Sequence, residues 1–183
     1  MKSARFIRFM VNAGLLVAVA CGPGVAAQIN EEINEVPTPY AMDQSYFMLP
    51  AGRTIGNTAG ITLDNDGTSI WVYDACGGTT CVGSDLDPIL KFDASGKLET
   101  SFGAGVIVRP HGIHVGPEGN VWVTDRLASD GRGHQVFKFS RAGELLMTLG
   151  TAGIAGDGPN EFNSPSAVLV APNGDIFVGD GHG

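Results

Sequence analysis

A threefold internal repeat constrains the fold of this chain more than any other feature. Each copy has an apolar-x-apolar segment, a glycine, and then an apolar residue, an aromatic residue, valine, any residue and aspartate. The copies occupy residues 61–74, 113–125 and 168–180. Their aromatic residues, at positions 71, 122 and 177, are 51 and 55 residues apart. Self-similarity near this period, built from short strands and glycine turns, predicts a β-propeller.

A second hairpin follows each of the first two copies. Residues 89–103 and 136–150 each contain two apolar segments joined by a turn with a glycine, and their equivalent residues Phe92 and Phe139 are 47 apart. Each blade is therefore expected to have four strands, and helical spacing is absent from Leu49 onward. A β-sandwich is the alternative, but sandwiches do not repeat at this period. The sequence predicts an all-β fold with about two and a half blades.

The blade count has a consequence for the whole chain. Propellers close with roughly four to eight blades, so we expect this sequence to be the N-terminal part of a longer protein. A half-propeller that dimerises is the alternative. The predicted organisation is a leader over residues 1–27, an irregular lead-in over 28–49 and a partial propeller over 50–183.

The first 27 residues are typical of a secretory signal peptide. Lys2, Arg5 and Arg8 give a basic start, residues 9–20 form a short apolar core, and small residues then allow cleavage. Lipidation at Cys21 is the alternative. We therefore expect an exported protein, periplasmic or extracellular.

The charge balance limits the partners. Cleavage removes three basic residues and no acidic ones, which takes the formal charge from −8 to −11. Nucleic acid and anionic membrane surfaces are therefore not expected as partners, because phosphate binding needs clustered Lys and Arg. We expect a small peptide-like substrate or a protein ligand, and no membrane span after cleavage.

Two cysteines remain in the mature chain. Cys76 and Cys81 are separated by four residues, in a protein that we expect to be exported. A disulfide between them is the favoured prediction. Two free thiols and a metal site are the alternatives, although no second cysteine pair supports a metal site.

Residues 109–114, Arg-Pro-His-Gly-Ile-His, form the densest group of chemically capable side chains. The first strand of a propeller blade faces the central channel, so His111 lies where a metal ligand or an acid or base would act. His114 is expected on the opposite face of the strand from Ile113. A hydrogen-bonded structural histidine is the alternative for each.

Aspartates recur at equivalent positions of the repeats. We interpret them as structural residues whose carboxylates accept hydrogen bonds from local backbone amides, as is usual in and after β-turns. They are Asp64, Asp66, Asp74, Asp125 and Asp180.

A family resemblance adds to these observations. The strings Pro-His-Gly-Ile at 110–113, Gly-Asn-Val-Trp-Val-Thr-Asp at 119–125 and His-Gln-Val-Phe-Lys-Phe at 134–139 resemble the catalytic core of peptidyl-α-hydroxyglycine α-amidating lyases. The string at 162–168 resembles the junction between NHL repeats. That family has a six-bladed propeller of NHL-type repeats, and the similarity extends over roughly residues 50–183.

The resemblance implies a metal-dependent lyase. The family holds zinc with three histidines from different blades, of which the first corresponds to His111. It also holds calcium through backbone carbonyls, of which one corresponds to Ile113. The implied reaction cleaves peptidyl-α-hydroxyglycine to a peptide amide and glyoxylate. An open position on three-histidine zinc suits substrate binding.

Two further residues are catalytic candidates by the same resemblance. The family anchors the substrate carboxylate with an arginine, and Arg53 lies in about the blade where that arginine is found; a surface arginine is the equal alternative. His182 stands where the family has a catalytic tyrosine, so it is either a base, an extra ligand, or a sign that the group is missing. The loop 126–133 is longer than in the family, and His134 is expected to be structural.

Three function classes remain open at this point. The first is an exported zinc-dependent lyase, incomplete as it stands. The second is a non-catalytic NHL propeller that binds protein or carbohydrate, since one fold hosts both kinds of function. The third is a gluconolactonase-like metal hydrolase, for which the sequence shows no arranged acidic metal set.

Overall fold

A computed structural model describes residues 39–181 of this chain. Residues 45–181 belong to one compact unit, and residues 39–44 belong to a second unit and contain no strand. The predicted signal peptide, the lipidation alternative at Cys21 and the catalytic candidate His182 lie outside the described residues. Among residues 39–181, no helix is long and apolar enough to cross a membrane.

The compact unit is built from ten strands with glycine turns between them. They are β1 (Thr58–Leu63), β2 (Ile70–Asp74), β3 (Ile89–Phe92), β4 (Leu98–Phe102), β5 (Pro110–Val115), β6 (Val121–Asp125), β7 (Gln135–Phe139), β8 (Leu145–Leu149), β9 (Pro165–Val170) and β10 (Ile176–Asp180).

The strands form separate antiparallel sheets in chain order. Strands β1 to β4 make the first blade, β5 to β8 make the second, and β9 pairs with β10 at the start of a third. The first strands of the three blades contact one another in sequence, β1 with β5 and β5 with β9. The predicted all-β fold of four-stranded propeller blades is confirmed, with two blades and half of a third described.

The hydrophobic core lies between the blades rather than within one sheet. Side chains of the first and second blades meet in a buried cluster that includes Trp71, Tyr73, Phe137 and Phe139. A smaller cluster around Trp122 joins the second blade to the third. Strands β2 and β6 are almost fully buried because each packs on both of its faces.

The end of the lead-in contacts the first blade. Met48 donates its backbone N–H to the Gly96 carbonyl (2.8 Å), and the ring of Phe47 lies 4.5 Å from that of Phe92. This segment covers the outer face of the first blade. Apolar residues of the lead-in therefore cover a blade face that water would otherwise reach.

Candidate functional site

One aspartate ends the second strand of each blade and holds the segment that leads into the same blade. Asp74 accepts the N–H of Gly56 at 2.6 Å, Asp125 accepts those of Val108 and Arg109 at 2.8 and 2.6 Å, and Asp180 accepts that of Asn163. The prediction of backbone-amide partners holds for these three. The amides in the lead-in segments are 16 to 18 residues away, and Asp74 also accepts the N–H of Gly77, three residues on, at 2.8 Å. The lead-in segments of all three blades therefore lie at the same end of their sheets.

His111 lies at the start of β5, at that same end. Its Nδ1 is 2.7 Å from the backbone carbonyl of Ser166, in β9 of the next blade. A carbonyl oxygen only accepts a hydrogen bond, so Nδ1 of His111 carries a proton in this contact. A backbone carbonyl on one ring nitrogen is the arrangement that orients metal-ligating histidines.

The strand around His111 is shaped for close contact with β9. The pairing of β5 with β6 is irregular between Pro110 and Ile113. Gly112 donates its N–H to the hydroxyl of Thr124 at 2.7 Å, and a side chain there would lie 2.6 Å from the Ser166 carbonyl oxygen. A glycine is therefore required at this position for His111 to reach the neighbouring blade.

The second metal candidate lies in the regular part of the same strand. Ile113 pairs with Val123 of β6, and its side chain packs against the core between the first two blades. Its role as a calcium ligand through the backbone carbonyl stays a prediction. Among residues 39–181, no three His, Cys, Asp or Glu side chains are close enough to hold a metal ion.

Arg53 is buried and occupied rather than exposed at the surface. Its side chain is 8% exposed, and its Nη2 lies 2.6 Å from the carbonyl of Asp87 and 3.4 Å from the carboxylate of Asp74. Its Nε is buried without a partner among the described residues. Arg53 therefore ties the lead-in of the first blade to the end of β2, and its catalytic role stays a prediction.

The other two described histidines differ in their surroundings. His134 is buried, and its Nδ1 accepts the N–H of Ser164 at 3.3 Å, which fits the structural role expected for it. His114 pairs with Trp122, on the side of the sheet opposite to the Ile113 side chain, and its Nε2 is buried with no partner in the part of the chain that the structure describes. Neither histidine lies beside His111 at the first residues of β5.

Sequence reasoning missed the residues that position His111. Ser166 and Thr124 hold the ring and the backbone of the Pro-His-Gly segment. Ser166 is 55 residues from His111, so only the pairing of two blades reveals the contact. The one sequence signal for this arrangement was the recurring aspartate at the ends of β6 and β10, which Thr124 precedes in β6.

Cys76 and Cys81 are joined by a disulfide in the structure, with their Cα atoms 5.1 Å apart. The small loop that it closes contacts the lead-in segments of both described blades. Asn57 donates its N–H to the Gly78 carbonyl, and Cys81 donates its own to the Val108 carbonyl, each at 2.8 Å. The loop therefore spans the two segments that precede β1 and β5.

We expect the oxidised state to stabilise this end of the propeller. Loop-closure entropy for so short a ring is worth roughly 2 kcal/mol, so the Cys76→Ser/Cys81→Ser variant should unfold at lower urea concentration than the native protein. Thiol labelling before and after reduction tests the bond itself. Labelling of both cysteines without a reductant would contradict it.

Burial dominates the protonation of Asp125. Burial raises the pKa of Asp125 to about 6, while the N–H groups of Arg109 and Val108 and the charge of Arg132 act in the opposite direction. The folded state therefore holds the Asp125 proton more tightly than the unfolded state does.

The expected consequence is a loss of stability as pH rises from about 4 to about 6. In that window the folded chain binds more protons than the unfolded chain, so the free energy of unfolding falls with pH. Asp125→Asn should remove this component, so the stability difference between native protein and variant should change by about 3 kcal/mol between pH 4 and pH 7. Urea unfolding at several pH values measures it, and a pH-independent difference would contradict it.

Comparison with known proteins gives a consistent set of relatives. No protein-family model matches the chain. A peptidyl-α-hydroxyglycine α-amidating lyase of Drosophila melanogaster is 42% identical over 92 residues, which are 49% of this chain and 16% of that protein. NHL repeat-containing protein 3 of Homo sapiens is 36% identical over 106 residues, which are 55% of this chain and 30% of that protein. The chain resembles amidating lyases and NHL-repeat proteins in sequence.

The coverage of these relatives is partial. A probable lyase of the same kind from Caenorhabditis elegans is 39% identical over 87 residues, 47% of this chain and 23% of that protein. The chain thus spans less than a third of the length of each of these three relatives. Among solved structures, virginiamycin B lyase from Staphylococcus aureus aligns with 66% of this chain and 33% of its own, at 16% identity and a TM-score of 0.43.

Proposed function

We propose that this chain is part of an exported amidating-lyase-like enzyme. Its substrate class is peptidyl-α-hydroxyglycine, which it cleaves to a peptide amide and glyoxylate. The observation that supports this most is the placement of His111 in the motif that resembles the lyases, with its Nδ1 oriented by a backbone carbonyl; Nε2 is then the ring nitrogen that would bind a cation. Similarity to several amidating lyases supports the substrate class.

The chemistry needs little from the protein beyond positioning and proton transfer. The C–N bond of the carbinolamide breaks, the hydroxyl oxygen becomes the aldehyde oxygen of glyoxylate, and the amide nitrogen gains a proton. The hydroxyl proton must leave to a base. A zinc ion held in part by His111 would supply Lewis acidity toward the substrate hydroxyl.

The described residues fit one ligand of such a zinc site. His111 has the carbonyl partner expected of a ligand, but residues 39–181 contain no three-residue metal set. A three-histidine site therefore needs ligands from outside residues 39–181. Calcium at the Ile113 carbonyl is part of the same proposal.

Export is proposed on two supports. The N-terminal leader has the order of charge and hydropathy that secretion requires, and the disulfide fits an oxidising compartment. N-terminal sequencing of the mature protein from the periplasmic or culture fraction tests it. A protein recovered with Met1 in the cytosol would contradict it.

The alternative is a non-catalytic NHL propeller that binds a protein or a carbohydrate. Similarity to NHL repeat-containing protein 3 keeps it open, because the sequence resembles an NHL-repeat protein as well as the lyases. Glyoxylate release from an N-acyl-α-hydroxyglycine, measured with metal content on the same sample, separates the two. Stoichiometric zinc with catalytic release supports the lyase, whereas a metal-free protein that releases no glyoxylate supports the binding propeller.

A further inference from the structure

Two basic side chains are unpaired in a chain that has an excess of acids. The chain has 19 acidic and 11 basic residues, yet within residues 39–181 Arg109 and Arg126 have no side-chain hydrogen bond, ion pair or electrostatic partner. The other described Lys and Arg side chains each act on a carboxylate. These pairs are Arg53 with Asp74, Lys91 and Arg141 with Asp64, Lys97 with Asp93, Arg132 with Asp125, and Lys138 with Glu118.

The two unpaired arginines lie opposite each other. Arg126 donates its backbone N–H to the Arg109 carbonyl at 3.1 Å, immediately beyond the paired residues Pro110 and Asp125. Residues paired in this way have Cβ atoms about 5 Å apart on one face of the ladder, and like charges in that arrangement are destabilising. The repulsion is relieved when an anion lies between the guanidinium groups.

The surroundings favour a small, partly desolvated anion. Both residues are half-buried, and the Nε of Arg126 is buried with no hydrogen-bond partner among the described residues. A guanidinium group offers parallel N–H donors that match the two oxygens of a carboxylate. A carboxylate oxygen beside the Nε of Arg126 would satisfy this donor.

The position relative to His111 gives the pair a role. Arg109 is two residues before His111, a backbone distance of about 7 Å in an extended segment. Arg53, one candidate for the carboxylate anchor from the sequence, already binds Asp74 and the Asp87 carbonyl. We propose that Arg109 and Arg126 together form a carboxylate-binding subsite beside His111. Identifying its occupant as the carboxylate end of the substrate rests on the proposed function.

Binding of a carboxylate probe tests the subsite without requiring catalysis. Calorimetric titration compares N-acetylglycine with its neutral amide, using the native protein, Arg109→Gln and Arg126→Gln. Each substitution should weaken N-acetylglycine binding about tenfold or more, because each removes a charge-assisted hydrogen-bonding group. Lys97→Gln is the matched control for net charge, and thermal unfolding of every variant checks that it is folded.

The outcomes are distinct. Tighter binding of N-acetylglycine than of its amide, lost in both arginine variants and kept in Lys97→Gln, supports the subsite. Equal binding in folded arginine variants, no binding to the native protein, or a preference for inorganic phosphate over N-acetylglycine overturns it. Carboxylate binding without glyoxylate release would leave the subsite standing and reject the lyase proposal. Glyoxylate release with unchanged kinetics in both arginine variants would support the lyase proposal and reject the subsite.

Discussion

Replacement of His111 by alanine is expected to abolish glyoxylate release, with a loss of about a thousandfold in kcat/KM. The ring is oriented by the Ser166 carbonyl and would hold the group that activates the substrate hydroxyl. Alanine removes the ligand and leaves the carbonyl without its donor. Turnover of an N-acyl-α-hydroxyglycine and bound zinc per chain are measured together, and both should fall.

A matched control is available in the same strand. His114→Gln changes a histidine of β5 whose Nε2 is buried with no partner within residues 39–181, away from the end where His111 lies. We expect His114→Gln to keep its zinc and its turnover. Full activity in a folded His111→Ala variant would refute the assignment of His111 and, with it, the main support for the lyase.

Replacement of Asp64 by alanine is expected to destabilise the protein by about 3 kcal/mol. The carboxylate is fully buried and accepts hydrogen bonds from Trp71 at 3.1 Å, Lys91 at 3.2 Å and Arg141 of the second blade. Burial opposes its charge, but these three donors outweigh burial and lower the pKa of Asp64. Removing one member of a buried charge cluster leaves the others uncompensated.

A double-mutant cycle isolates the contact between blades. Arg141 lies in the turn between β7 and β8 and is 43% exposed, so Arg141→Ala alone should cost about 1 kcal/mol. If Asp64 joins the blades through Arg141, the double variant should lose less than the sum of the single losses. Chemical denaturation gives all three values. Strict additivity would show that Asp64 acts only within its own blade.

The sequence was sufficient to predict the blades because their signals are local. Alternation, glycine turns and the period of the aromatic residues all lie within about fifty residues, and β1 to β10 fall where those patterns predict. The Pro-His-Gly motif likewise located His111 at the start of a first strand.

The partners of the site residues could not be predicted, because they depend on how separate strands come together. Nothing near Arg53 in the sequence indicates that Asp74 and the Asp87 carbonyl would occupy it. The opposition of Arg109 and Arg126 likewise follows from the pairing of β5 with β6 beyond an irregularity that the sequence does not mark. Register and packing, rather than composition, decide such contacts.

The aspartate that closes each blade has a consequence for how such a chain can lengthen. Asp74, Asp125 and Asp180 each bind the lead-in of their own repeat. A duplicated repeat would therefore contain both the aspartate and the segment that it binds. The link through Asp64 is different, because the equivalent positions in the later repeats are Gly116 and Ala171. A duplicated later repeat would therefore keep the contact that holds its own lead-in, whereas the contact from Asp64 to the next blade belongs to the first blade among the three described repeats.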